Sequence, residues 1–154
     1  MAGEPIRAAA VADAEVAARL LHRFNREYDE PTPELPALTR RLEELLDGGD
    51  AVILLAGEEP CGIAVLRFRL SIWRAGLECY LAELYISPER RRQGIGRALM
   101  REAMAVARRR GADYMDLGTS EDDVAARALY ESLGFDNHEG KPGGPVNYYY
   151  ERLL

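Results

Sequence analysis

The stretch Leu84-Tyr85-Ile86-Ser87-Pro88-Glu89-Arg90-Arg91-Arg92-Gln93-Gly94-Ile95-Gly96-Arg97-Ala98-Leu99 constrains the fold more than any other part of the chain. It reads as a strand that stops at Pro88, a basic turn, and a helix that opens on two glycines. The first N–H groups of a helix have no intrahelical acceptor and point outward. They coincide with the positive end of the helix dipole, so such a turn suits an anion. Gly94 and Gly96 carry no Cβ that would keep an anionic group off the backbone. Arg91, Arg92 and Arg97 add positive charge. The chemistry fits a pyrophosphate.

Taken alone, the turn also fits an ordinary strand–turn–helix or a Gly-x-Gly-x-x-Gly dinucleotide fingerprint. The fingerprint needs a third glycine where Leu99 stands and follows the first strand of a βαβ unit. Here three strand candidates precede the turn, Ala51–Ala56, Cys61–Trp73 and Leu77–Ser87, joined by short turns as an antiparallel meander. Upstream, Ile6–Ala10 reads as a first strand. Asp13 caps a helix of about 15 residues with Val16, Leu20, Leu21 and Phe24 on one face. A second helix runs through Leu38, Leu42, Leu45 and Leu46, with Thr32 as its N-cap and Pro33 at its first position. Downstream, a helix spans Gly94 to Arg110 with Gly111 just past its end. A strand over Tyr114–Gly118, a helix over Asp122–Leu133 and a strand opening at Phe135 follow. A Gly/Pro-rich loop, Glu139 to Pro145, leads to a last strand, Val146–Leu153. Tyr148, Tyr149 and Tyr150 alternate across it, and packing in the core and sheet is expected to take up most of them.

The chain has 154 residues and a net charge of −6. That length is one domain's worth. Its apolar content of 47% excludes a disordered polymer. No stretch approaches the roughly 18–20 apolar residues of a membrane helix. The start, Met1 to Arg7, does not read as a signal peptide. Residues 89–110 hold eight arginines and two glutamates, whereas residues 27–59 hold ten acidic and two basic residues. A basic island in an acidic body points to an anionic ligand at the island, with room for a cationic one elsewhere. Nucleic-acid binding fits poorly, because phosphate-backbone binders are usually basic overall. Cys61 and Cys79 sit in apolar runs and read as buried free thiols of a reducing cytosol. His22 and His138 have no motif partners, and no metal site is expected.

Arg91-Arg92-Gln93-Gly94-Ile95-Gly96 resembles the Arg/Gln-x-x-Gly-x-Gly/Ala acetyl-CoA loop of the GNAT superfamily of N-acetyltransferases. Leu129-Tyr130-Glu131-Ser132-Leu133-Gly134-Phe135 is similar to the family's downstream Leu-Tyr-x-x-x-Gly-Phe signature. The gap between the motifs and the element order match as well. The resemblance implies an α/β (α+β) fold in one domain over residues 1–154. Its mixed, mostly antiparallel sheet would have about six or seven strands, flanked by about four helices. It also implies acetyl-CoA as acyl donor. Arg91 and the amides of Arg92, Gln93, Gly94, Ile95, Gly96 and Arg97 would hold the pyrophosphate. Leu84, Tyr85 and Ile86 would pair with the pantetheine arm, and an N–H near Tyr85 or Ile86 would steady the developing oxyanion. Tyr130 matches the tyrosine that protonates the leaving thiolate. Asp123 stands where many members carry Asn on the CoA side; its alternative role is that of an acid at a helix start. Glu83 is the candidate base for the acceptor ammonium, with water chains as the alternative. Strand alternation puts it on the face of Tyr85, opposite Leu84.

On the acceptor side the resemblance points to the segment between the first two helices, where Glu27, Asp29 and Glu30 surround Tyr28. An acidic cluster with an aromatic attracts a polycationic amine. Phe24-Asn25-Arg26-Glu27-Tyr28-Asp29 is similar to a segment of some aminoglycoside N-acetyltransferases of the superfamily, and His138 lies in the loop that completes the cleft. The implied activity is acetyl transfer in a ternary complex to a primary amine of a small cationic acceptor. An aminoglycoside, and hence antibiotic resistance, is the first specific guess. A protein or peptide N-acetyltransferase and a non-catalytic acyl-CoA sensor are the alternatives. The implied partners are a small-molecule amine and, as in many relatives, a second copy in a homodimer, with no nucleic acid and no membrane. Nineteen arginines against one lysine suggest a GC-rich bacterial source, and a cytoplasmic location is expected.

Overall fold

The computed structural model describes residues 3–154. It divides into two compact units, one through Leu117 and one from Gly118 to Leu154. In the first unit the order is β1 (Ile6–Ala8), α1 (Ala14–Glu27), α2 (Leu35–Asp47), β2 (Ala51–Ala56), β3 (Gly62–Leu70), β4 (Leu77–Ile86), α3 (Ile95–Arg109) and β5 (Ala112–Leu117). The five strands form one sheet in sequence order. The first three pairings are antiparallel and β4–β5 is parallel.

Each face of the sheet is closed by helices. Ala14, Ala17, Ala18 and Leu20 of α1, with Leu42 of α2, bury against Ile53, Leu55, Ile63, Val65 and Tyr85. Small alanines on α1 let the helix approach closely, and the apolar stripe repeats at helical spacing. On the other face α3 buries Ile95, Leu99, Met100, Ala103 and Ala107. Gly62 marks the close approach there. A Cβ at this position would stand 3.0 Å from Ile86 Cδ1 and 3.2 Å from Leu99 Cδ1. Cys61 and Cys79 are buried free thiols, as their apolar context predicts.

Several expected boundaries move. α2 begins at Leu35 with Glu34 as N-cap, not at Thr32 and Pro33. Had Pro33 been first, Pro36 would occupy the fourth position. Its missing N–H would then be needed for the first intrahelical bond. Leu38 makes that bond instead, to Glu34 O at 3.0 Å. β1 ends at Ala8 because Val11–Asp13 turns into a 3-10 segment. Asp13 accepts from Ala10 N at 2.8 Å and from both terminal nitrogens of Arg7. The Arg7 bonds, more than any other contact, hold its carboxyl down at about 2. β3 stops at Leu70, where Ser71 Oγ accepts from Trp73 N and Arg74 N and turns the chain.

The second unit contains α4 (Val124–Ser132). The strands expected at Phe135 and over Val146–Leu153 do not form. A single bridge, His138 to Val146, is the pairing found there, so among the described residues the sheet has five strands rather than six or seven. An extended segment becomes a strand only by finding a partner ladder. The intervening turns at Gly140 and Gly143, both at positive φ, bring just one residue pair into register. The packing expected for the tyrosines fails for the same reason: Tyr148, Tyr149 and Tyr150 are 77%, 74% and 85% exposed. Among the described residues, no helix is long and apolar enough to cross a membrane.

Candidate active site

β4 carries the centre of the site, and its register is broken once. Leu81 stands opposite Leu66 and Glu83 opposite Val65, so Ala82 is an extra residue in β4. Such a bulge lets successive residues share a face. Ala82 packs against the core beneath α1 and α2, and Glu83 follows on that same side, opposite core residue Val65. Glu83 and Tyr85 therefore share a face, as strand alternation predicts. Tyr85 is buried, whereas Glu83 opens to solvent. Surrounding protein still strips part of its hydration, and this raises the Glu83 carboxyl above its ordinary range. A carboxylate in that condition is a better proton acceptor than a free one.

β5 accompanies β4 only as far as Leu81, opposite Leu117. From Ala82 to Ile86, β4 has no strand beside it on that edge among the described residues. Ser87 N donates to Cys61 O at 2.8 Å on the β3 side. By antiparallel alternation, Tyr85 and Glu83 also turn their backbone groups to β3, while Leu84 and Ile86 turn theirs to the open edge. Of the two N–H groups named from sequence, the one aimed at this edge is that of Ile86. Its carbonyl lies on the same edge and accepts from Arg91 Nε at 3.0 Å.

The anion loop follows directly. Arg91 is extended, Arg92 has φ 61° and Gly94 has φ 80° before α3 begins. Tight turning at two left-handed residues gathers successive N–H groups into a concave nest. The first intrahelical bond of α3 is Ala98 N to Gly94 O at 3.0 Å, so the N–H groups of Ile95 and Gly96 precede the helical ladder. A Cβ built on Gly94 would meet nothing within 4 Å. This donor set, with open space above it, fits the diphosphate of a CoA thioester.

The basic island is less free than its composition suggests. Arg91 Nη2 reaches both carboxylate oxygens of Glu27, at 2.9 and 2.7 Å. Arg90 pairs with Glu4 and bonds Gln93 Oε1. Arg109 pairs with Glu102, and Arg110 bonds Gly49 O and covers the Phe68 ring. Arg92, at the crest of the nest, is exposed and has no ion-pair partner among the described residues.

Tyr28, Asp29 and Glu30 are exposed beyond the end of α1, and Asp29 turns the chain at φ 54°. The Tyr28 ring meets Phe24 edge-on at 5.4 Å, and Phe24 stacks on Tyr85 at 4.9 Å. Aromatic packing thus links this acidic segment to β4. Within the second unit Tyr130 is buried, and burial together with the Asp123 charge pushes its phenol up to about 12. Asp123 accepts from Ala126 N at 3.0 Å, as a helix cap does. His138 Nδ1 lies 2.6 Å from Asp136 Oδ1. The bulge, the Phe24–Tyr85 stack and the Glu27–Arg91 pair escape a reading from sequence. The opposite signs of Arg23 and Glu27, four apart, and Glu89 and Arg91, two apart, were the available signal for the last.

The description "Acetyltransferase (GNAT) family" matches residues 17–135, most of the chain and both of its motifs. The chain belongs to this family. It is 30% identical to the uncharacterised N-acetyltransferase YhfO of Bacillus subtilis, over 88% of this chain and 91% of that one. It is 35% identical to the thialysine N-epsilon-acetyltransferase of Bos taurus, over 54% of this chain. The chain spans about half the length of the thialysine relatives it matches, 52% in each case. A solved structure from Arthrobacter sp. FB24, classed as an acetyltransferase, is 42% identical and superimposes with a TM-score of 0.90 over 99% of this chain and 98% of that one. An aminoglycoside acetyltransferase from a soil metagenomic sample, in complex with sisomicin, shares the fold at a TM-score of 0.77, with 17% identity and 97% of each chain covered.

Proposed function

We propose that the protein transfers the acetyl group of acetyl-CoA to a primary amine of a small cationic acceptor, with the two partners bound together. The nest at Arg92 to Arg97, following the edge of β4 that has no neighbouring strand among the described residues, carries this reading. Its N–H groups and Arg92 would hold the diphosphate, and the backbone of Leu84 and Ile86 would pair with the pantetheine. Asp123, already a helix cap, is the weakest member of that set. Acetyl-CoA supplies the activated acetyl group. Glu83 takes the proton of the acceptor ammonium, directly or through water, and Tyr130 gives its hydroxyl proton to the departing sulfur. A phenol held near 12 stays protonated at neutral pH, as a donor must.

Tyr28, Asp29, Glu30 and His138 are the proposed acceptor-side groups. Their acidity and the exposed ring support a cationic amine. The amines of thialysine, named for one relative, and of sisomicin, bound to one fold neighbour, support an amine acceptor, and an aminoglycoside is the specific acceptor we propose. A single catalytic domain is part of the same reading, because the family match runs across Leu117 without a break. We extend it to a homodimer, supported by the exposed Tyr148–Tyr150 run, since large apolar surfaces of this kind mark protein contacts.

The decisive experiment is release of free thiol from acetyl-CoA in the presence of aminoglycosides, polyamines, amino acids and short peptides. Turnover with an aminoglycoside is the expected result. Turnover with peptides alone would replace the acceptor class, and CoA binding without turnover would withdraw the enzymatic reading.

A further inference from the structure

Two ion pairs of opposite polarity join α1 to the anion loop. Arg23 and Glu27 lie one helical turn apart on α1, on one side of the helix. Arg23 reaches both carboxylate oxygens of Glu89, at 3.1 and 2.8 Å. Glu27 takes Arg91 at 2.9 and 2.7 Å. The helix thus presents plus then minus, and the loop presents minus then plus. Arg91 is also tied to β4 through Ile86 O, and Glu27 accepts a further bond from the Tyr85 hydroxyl at 3.2 Å. The Glu27 and Arg91 side chains are only 26% and 38% exposed, so water competes less for this pair than for a surface one.

The residue after Arg91 is held in a left-handed conformation that non-glycine residues seldom adopt. Such backbone persists where its surroundings over-determine it. The α1 pairs and the Ile86 carbonyl are those surroundings. We propose that Glu27 is a positioning residue of the anion loop: it fixes Arg91, and through it the nest at Arg92–Arg97, instead of contacting the acceptor amine. This rests on the acetyl-CoA reading of that loop. It also makes a sign prediction. If Glu27 merely neutralised Arg91, removing its charge would free a cation for the phosphates and tighten binding. If it positions the loop, removal loosens binding.

The test is titration of CoA into the wild-type protein, E27Q and E27D, with the acceptor KM measured alongside and hydrogen exchange followed in the ligand-free proteins at the amide of Ala98, whose bond to Gly94 O closes the loop onto α3. E27Q is expected to weaken CoA binding about fivefold and speed exchange by a similar factor, with the acceptor KM unchanged. E27D, which keeps the charge on a shorter arm, should fall between. CoA binding in E27Q that is unchanged or tighter overturns the proposal. So does a raised acceptor KM at constant CoA affinity, which would return Glu27 to the acceptor site. Wild-type protein that binds no CoA defeats the acetyl-CoA reading, while exchange at Ala98 still decides whether Glu27 holds the loop.

Discussion

The hydroxyl of Tyr85 donates to Glu27 Oε1 at 3.2 Å, joining residues 58 positions apart in the chain. One side chain thereby does two jobs. Its ring lies flat on Phe24 inside the core, and its hydroxyl reaches the charged layer above. Burial raises the Tyr85 phenol, so it remains a donor. Tyr85→Phe keeps the stack and loses the bond, and should cost about 1 kcal/mol in urea unfolding. Phe24→Ala removes the stack itself and should cost about 2 kcal/mol or more. Equal costs for the two would mean that the stack contributes little.

The Glu83 carboxyl is raised by loss of hydration. A base works only when deprotonated, so kcat/KM should climb with pH through a midpoint above the usual glutamate range. Glu83→Gln should lower kcat/KM about 100-fold at neutral pH and abolish that limb. A Glu83→Gln enzyme that keeps the same limb would assign the proton transfer to another group or to water.

Gly94 sits at φ 80°, and a methyl group at its Cα would have no neighbour within 4 Å, so Gly94→Ala tests backbone conformation without steric collision. A side chain in the left-handed region costs roughly 1 kcal/mol or more. The loop should relax away from its nest, and the KM for acetyl-CoA should rise severalfold while kcat changes less. Steady-state kinetics with either substrate varied will separate the two.

Tyr130→Phe removes the proposed acid and keeps the ring, which meets Phe135 edge-on at 6.1 Å. The melting temperature should hold. The turnover number should drop about 100-fold with CoA affinity intact. A drop confined to CoA affinity would make Tyr130 a binding residue.

Light scattering on the purified protein should give the mass of a dimer. Replacing Tyr148, Tyr149 and Tyr150 by serine should yield monomer with an unchanged circular dichroism spectrum, because these side chains bury little within their own chain. Monomeric wild-type protein at micromolar concentration would remove the homodimer from the proposal.

Elements that stabilise themselves locally were legible from sequence. The apolar stripe of α3 and Gly111 past its end mark that helix clearly, and the meander of β2, β3 and β4 is visible in its turns. Features made by distant partners were not. Tyr148 to Tyr150 alternate like a strand, but no ladder among the described residues receives them. Of the site, the nest was readable because adjacent residues build it. The tie between Glu27 and Arg91 was not, because composition counts charges without showing which cancel. Glu27 accordingly looked like part of an acidic patch rather than the counter-charge of the basic one.

The extra residue at Ala82 shifts the phase of β4. Before it, the strand is in step with the packing beneath α3. After it, every side chain has changed sides relative to that beat. With the same starting register and no added residue, Glu83 would fall opposite Ala64, in the wholly buried layer, and Tyr85 would leave Phe24. A carboxylate would then be sealed in apolar surroundings, a placement that proteins avoid. Transplanting this site onto another sheet therefore requires carrying the half-period offset along with the residues. A copy of Glu83 and Tyr85 alone would arrive upside down.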